Sequence, residues 1–193
     1  SLVGSEMCIR DRYRYGWYRI CSKILGYSEC NLIQVPIYMQ FKLVLNDTFD
    51  KYNCGEFDKK ENDTISVSKS NFSHETDEVN VMISDTYPLS LSQLPEIKKN
   101  IPTLLISRNN TNDVNRYDSP ELVRCVVNEV RSLNNNIKKV NVYATTNPLN
   151  TKNIASSAFK LGGRDNFDEV RVFQQERDGI RKFNNKGIVV YKR

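Results

Sequence analysis

From Val79 onward the chain repeats one pattern: a short apolar run, a polar turn, then a stretch with helical spacing. "VNVMISD" (79–85), "PTLLISRN" (102–109), "IKKVNVYATTN" (137–147), "DEVRVFQQ" (168–175) and "KGIVVYKR" (186–193) read as strands. Between them, "YPLSLSQLPEIKKN" reads as a broken, short helical connection. "DSPELVRCVVNEVRSLNNN" and "PLNTKNIASSAFKLGG" read as helices. Strands joined through helices must pair in parallel, and right-handed crossovers place those helices on both faces of the sheet. The pattern therefore predicts a Rossmann-like α/β domain over residues 77–193, with a mostly parallel sheet.

Local chemistry supports the helices. Ser119 suits an N-cap, Pro120 the first helical position and Glu121 the positive end of the dipole. Leu122, Val126, Val130 and Leu133, with Val123 and Val127 beside them, form one wide apolar face. The next helix is expected to be capped by Asn150 or Thr151, to bury Ile154, Ala155, Ala158 and Leu161, and to end at Gly162.

Residues 13–76 are expected to hold a short helix (13–27) anchored by Trp17, followed by antiparallel strands. In "NLIQVPIYMQFKLVLND" (31–47), Ile37, Met39, Phe41 and Leu43 alternate with Tyr38, Gln40 and Lys42. That is the period of a half-buried strand, with Pro36 at its start or at an edge. "TISVSKS" (64–70) reads as another short strand. This part belongs either to the same domain or to a small accessory subdomain.

Residues 1–12 are of another kind. Leu2 to Asp11 is the one-frame translation of a sequencing-library transposon adapter, so this stretch is expected to be unstructured and is left out of the fold reasoning. The natural protein is expected to continue upstream of Tyr13.

Composition bounds the chemistry. The 193 residues carry a net charge of +5, and no apolar run approaches the roughly 18–20 residues that cross a bilayer. Basic residues form no stripe with interleaved aromatics, so duplex DNA binding and a membrane partner are not expected. Apart from Cys8, the cysteines (Cys21, Cys30, Cys54, Cys125) lack metal-ligand spacing, and the one histidine, His74, stands alone in a loop. No metal and no cofactor is expected, and a reduced, cytoplasmic setting fits. Asp58, Glu61 and Asp63 lack the glycine and final glutamate of a calcium loop. No phosphate-binding glycine loop and no nucleophile elbow is present, so no catalytic residue is assigned.

In an open parallel sheet, ligands bind beyond the carboxyl ends of the strands. Three such ends are polar, and they contribute Ser84 and Asp85, Ser107 and Arg108, and Thr145, Thr146 and Asn147. The last three residues sit between a strand and a helix start, where free N–H groups favour a phosphate, and Arg108 is placed to add a bidentate contact. These seven residues are the expected ligand-binding set. On the residues alone, a plain turn and helix cap is the favoured reading of residues 145–147.

The segment "IKKVNVYATTNPLNTKNIASSAFKLGGRDNFDEVRVFQ" resembles the C-terminal half of the SAVED sensor domain. The shared pattern is a hydrophobic strand, a small-residue turn with proline, a small-residue helix ending in glycine, and a strand with an aromatic end. The usual histidine-containing strand "HLF" is replaced here by Val140-Asn141-Val142-Tyr143. The resemblance covers residues 79–191. It implies a CARF-like Rossmann domain that senses a cyclic oligonucleotide in bacterial CBASS anti-phage defence, fused to an N-terminal effector, and that forms a homo-oligomer when the ligand binds. Thr145, Thr146 and Asn147 would be its ligand loop. Two alternatives stand beside it: a nucleotide- or sugar-processing enzyme using Asp85 as general base, or a structural, oligomerisation domain.

Overall fold

A computed structural model describes residues 14–73, 75–109, 116–160, 167–176 and 180–193. The adapter-like segment, His74, Leu161 and Gly162 lie outside the described residues. In chain order the elements are α1 (Tyr15–Lys23), β1 (Glu29–Asn31), α2 (Ile37–Leu45), β2 (Lys51–Asn53), β3 (Ile65–Ser70) and β4 (Glu78–Ser84). After two 3-10 turns, Leu91–Gln93 and Glu96–Lys98, follow β5 (Thr103–Arg108), α3 (Pro120–Arg131), β6 (Lys139–Ala144) and α4 (Pro148–Ile154). A π-helical stretch, Ala155–Lys160, prolongs α4 before β7 (Glu169–Phe173) and β8 (Ile188–Lys192).

The main sheet has six strands in the order β3-β5-β4-β6-β7-β8. β5, β4, β6 and β7 run in parallel, while β3 and β8 pair antiparallel at the two edges. The mostly parallel α/β sheet expected from the sequence is therefore the architecture observed. After β4 the chain steps to β5, then turns back across β4 to β6, so the topological switch point lies between β4 and β6. With one crossover hand, steps in opposite directions must cover opposite faces. Helical segments accordingly lie on both faces, but unequally.

On one face α2, α3 and α4 pack over Val79, Val81, Ile83, Leu104, Ile106, Val140, Val142, Val170 and Val172. On the other, Leu89, Leu94 and Phe183 flank the 3-10 turns and cover Met82, Tyr143 and Phe173. The second layer holds a fully buried amide, Asn80. Its Nδ2 donates to the Lys98 carbonyl (2.8 Å) and Thr103 Oγ1 (3.0 Å), and its Oδ1 accepts from Asn141 Nδ2 (3.1 Å).

α3 forms as its sequence predicts. Ser119 Oγ accepts from the Leu122 amide at 3.3 Å, and Leu122, Val126 and Val130 are buried.

Three expectations are corrected. Residues 37–43 are helix, not strand. α2 buries Met39, Gln40, Phe41, Leu43, Val44 and Leu45, because it lies between the sheet edge at β7 and β8 and the helices α1 and α4. A helix covered nearly all round need show no 3.6-residue period, so chance alternation imitates a strand. Pro36 ends the preceding loop, and its carbonyl accepts from the Met39 and Gln40 amides. Of the antiparallel strands expected in residues 13–76, β3 is antiparallel, whereas β1 and β2 form a parallel pair.

The third correction concerns α4. It starts three residues before the expected Asn150 cap: Asn147 is the N-cap, its Oδ1 accepting from the Asn150 amide at 2.9 Å, with Pro148 at the first helical position.

Candidate functional site

The carboxyl ends of β4, β6 and β7 surround a cavity of about 510 Å³ beside the switch point. Thr145, Thr146 and Asn147 line its floor, joined by Thr86, Tyr87 and Phe173. The start of α2 forms one wall with Pro36, Ile37 and Gln40. Gln174, Gln175 and Arg181 stand at the β7 side, and Arg116 at the mouth.

Of the seven expected residues, Thr145, Thr146 and Asn147 line the cavity, while Ser84, Asp85, Ser107 and Arg108 do not. Ser84 Oγ donates to the Tyr87 carbonyl (3.0 Å) and accepts from the Leu89 amide (3.1 Å), which folds the loop after β4. Ser107 lies opposite Ser66 of the edge strand β3. Thr145 Oγ1 donates to the Tyr87 carbonyl (2.8 Å), and the Thr146 and Thr151 hydroxyls meet at 2.6 Å.

Arg108 and Asp85 form a buried lock beneath the floor. Arg108 Nη1 is 2.7 Å from Asp85 Oδ1, and its Nε is 2.8 Å from Asp63 Oδ2. The side chains of Arg108 and Asp85 are 0% exposed and that of Asp63 2%, so this guanidinium is closed off from the cavity by its own chain. Asp85 Oδ2 also accepts from Asn150 Nδ2 (2.9 Å) and the Asn147 amide (3.3 Å). Where the sequence places a phosphate, at the first turn of α4, the fold places the Asp85 carboxylate. Burial raises the pKa of Asp85 above its ordinary 3.8, against the hydrogen bond from Asn150 and the charge of Arg108. The enzyme alternative requires Asp85 to face a pocket, and it does not.

The cavity's own cations come from elsewhere. Arg181 lies 4.6 Å from the centroid of the Tyr87 ring and is exposed, as is Arg116. Two glutamines that line the cavity, Gln40 and Gln174, each keep an amide oxygen, Oε1, buried with no hydrogen-bond partner. The Gln40 amide nitrogen is held by the Leu32 and Val35 carbonyls at 3.1 and 2.7 Å, which turns Oε1 free. Sequence reasoning missed these residues. The strand end "QQ" after β7 was a usable signal, since it is the fourth parallel tip, but nothing marked Tyr87, Arg116, Arg181 or Gln40. Among the described residues no cluster of potential metal ligands occurs, and no helix is long and apolar enough to cross a membrane.

Sequence comparison with curated proteins finds no significant match. The fold is similar to solved receptors. One is an Acinetobacter baumannii Cap4 SAVED/CARF-domain receptor with the cyclic trinucleotide 3'3'3'-cAAA (TM-score 0.61, 9% identity, 91% of this chain and 44% of that one). The same kind of receptor with 2'3'3'-cAAA aligns at TM-score 0.59 and 10% identity over 81% of this chain and 36% of that one. A Moraxella osloensis Cap4 SAVED/CARF-domain receptor aligns at 0.53 and 11% over 90% and 40%. The chain thus has a SAVED/CARF-type fold and spans less than half the length of these receptors. Residues 6–190 match a family model, and the chain belongs to that family, the SMODS- and ubiquitin system-associated 2TM effector domain.

Proposed function

We propose that this chain is a ligand-sensing domain that binds a cyclic oligonucleotide in the switch-point cavity and controls an effector in anti-phage defence. The observation that carries this reading is the cavity itself. It combines two exposed arginines, an aromatic face and two unpartnered amide acceptors in a fold shared with receptors for cyclic trinucleotides. The division of labour follows from side-chain chemistry. Arg116 and Arg181 take phosphodiester oxygens, since a guanidinium fork matches them and neither is buried in an ion pair. The Tyr87 ring offers a stacking face for a base. Gln40 and Gln174 accept from the base's exocyclic amine, a donor that leaves no buried oxygen unsatisfied. Thr145, Thr146 and Asn147 form the floor, Thr145 and Asn147 held by Asp85 and Thr146 by Thr151.

The cavity is open on one side, and the chain covers under half of each receptor it resembles. A second copy or a further domain completes the enclosure of the ligand, which links binding to assembly. No nucleotide chemistry is assigned to the site: Asp85 is paired beneath the floor, and the one carboxylate residue that lines the cavity, Glu176, is exposed.

Isothermal titration with a panel of cyclic di- and trinucleotides tests the reading. Binding is expected for the native chain and is expected to fall at least about tenfold in Arg181→Glu and Arg116→Glu, where a carboxylate faces phosphate. Both positions are exposed, so thermal stability is expected to stay near that of the native chain. A folded chain that binds none of the panel refutes the proposal.

A further inference from the structure

α1 carries a surface that the cavity does not explain. Its inner face, Tyr18 and Cys21, is buried against the core. Its outer face presents Gly16, Ile20 and Ile24 at successive turns around a shallow depression, with Arg19 and Lys23 on the flank. Ile20 is 38% exposed, Ile24 75% and the following Leu25 49%. Single exposed aliphatics are ordinary, but three in one contiguous patch are not. Gly26, at φ +73°, ends the helix and leaves Ile24 and Leu25 at the tip, with the Tyr27 amide reaching back to the Cys21 carbonyl at 3.1 Å.

Along the α1 segment itself the charge has one sign. Arg14, Arg19 and Lys23 are exposed, and none of them is ion-paired among the described residues. From residue 14 to residue 28 the sequence holds no Asp or Glu. Trp17, Tyr15 and Tyr27 are half-buried in the same segment. An apolar strip edged by cations and amphipathic aromatics has the composition of a helix that lies in a bilayer interface.

We infer that α1 docks the domain on an anionic phospholipid surface, with Ile20, Ile24 and Leu25 entering the headgroup boundary and Arg14, Arg19 and Lys23 meeting lipid phosphates. A second copy of the chain fits less well, because a two-fold contact through α1 sets Arg19 and Lys23 of one copy against the same cations of the other. The helix lies on the membrane and does not span it, having only nine residues. A sequence search for spanning runs therefore passes over it. The proposal is independent of nucleotide binding and stands or falls without it.

Vesicle co-sedimentation of the full chain tests it, comparing pure phosphatidylcholine with phosphatidylcholine containing phosphatidylserine. Binding is expected only to the anionic vesicles, and it is expected to weaken with added salt. Ile24→Glu and the pair Arg19→Glu/Lys23→Glu are each expected to reduce partitioning by roughly tenfold or more. Arg131→Glu/Lys186→Glu, which lowers the net charge equally but away from α1, is expected to change it little. No binding to anionic vesicles, equal loss in the control pair, or a concentration-dependent dimer that Ile24→Glu abolishes would each overturn the inference. Circular dichroism of every variant ensures that loss of binding is not loss of fold.

Discussion

Arg108 shows how far a residue's role depends on its partners. At the end of β5 its position on the strand tips is legible, yet its destination is the interior, where Asp63 and Asp85 hold it from two sides. Asp63 arrives from the loop before β3 and also accepts from Ser119 Oγ at 2.8 Å, so one carboxylate ties the β5 tip to the cap of α3. Removing one partner of such a buried set strands the other charges. Arg108→Met is therefore expected to cost about 3–5 kcal/mol at neutral pH. The buried Asp85 carboxyl, left without its cation, is more easily neutralised in the folded state than in the unfolded chain. The folded variant then binds extra protons over the interval above the ordinary aspartate value of 3.8, so its stability falls as pH rises through that interval. The deficit against the native chain should shrink on acidification. Urea denaturation at neutral and acid pH measures this, and a deficit unchanged by pH would contradict the lock.

Elements whose one face meets the core announced themselves, whereas those covered on several sides did not. α3, with its apolar stripe and Ser119-Pro120 start, matches its sequence pattern closely. α2 does not, because burial around most of its circumference removes the polar face that would reveal a helical period. The cap of α4 was misplaced because Asn147 and Asn150 are both good caps by composition. Asp85 selects between them by engaging the Asn147 amide and the Asn150 side chain together. Packing is equally exacting at the start of β8. A Cβ on Gly187 would lie 2.6 Å from Phe173 Cε2 and 2.8 Å from Cζ, and that ring is stacked on Tyr143 at 4.6 Å. Gly187→Ala is expected to cost roughly 1–3 kcal/mol by overpacking. Because Phe173 lines the cavity, the same change should weaken ligand binding. A thermal melt and a titration on one sample check both effects, and an unchanged melt would mean the ring has room to move.

At the scale of the molecule, the two halves separated by sequence grammar share one sheet and one core. β3 from the first half closes the β5 edge, α2 packs on β7 and β8, and Phe41, Leu43 and Met39 sit in the same cluster as Val81 and Val142. The cavity repeats this sharing, since Gln40 and Ile37 face Thr145 and Arg181 across it. A fragment of residues 77–193 would bare the β5 edge and leave Arg108 with one aspartate in place of two. It is expected to lose cooperative unfolding, while the full chain unfolds in one transition. Differential scanning calorimetry distinguishes the outcomes, and a sharp transition in the fragment would show that the second half is self-sufficient.

The strand–helix alternation after Val79, the Ser119 cap and the polar tips of β4, β5 and β6 were all present in the linear chain. Each depends on near neighbours and on a periodic face, and such local rules specified the parallel sheet and the end of it that carries polar groups. Which polar groups stay available was decided in three dimensions. Asp63 and Asp85 neutralise Arg108, Asp85 takes the anion's place at α4, and Arg116, Arg181, Tyr87 and the two glutamines are left facing the cavity. No local rule can anticipate this, because whether a side chain binds a ligand or its own fold depends on partners tens of residues away.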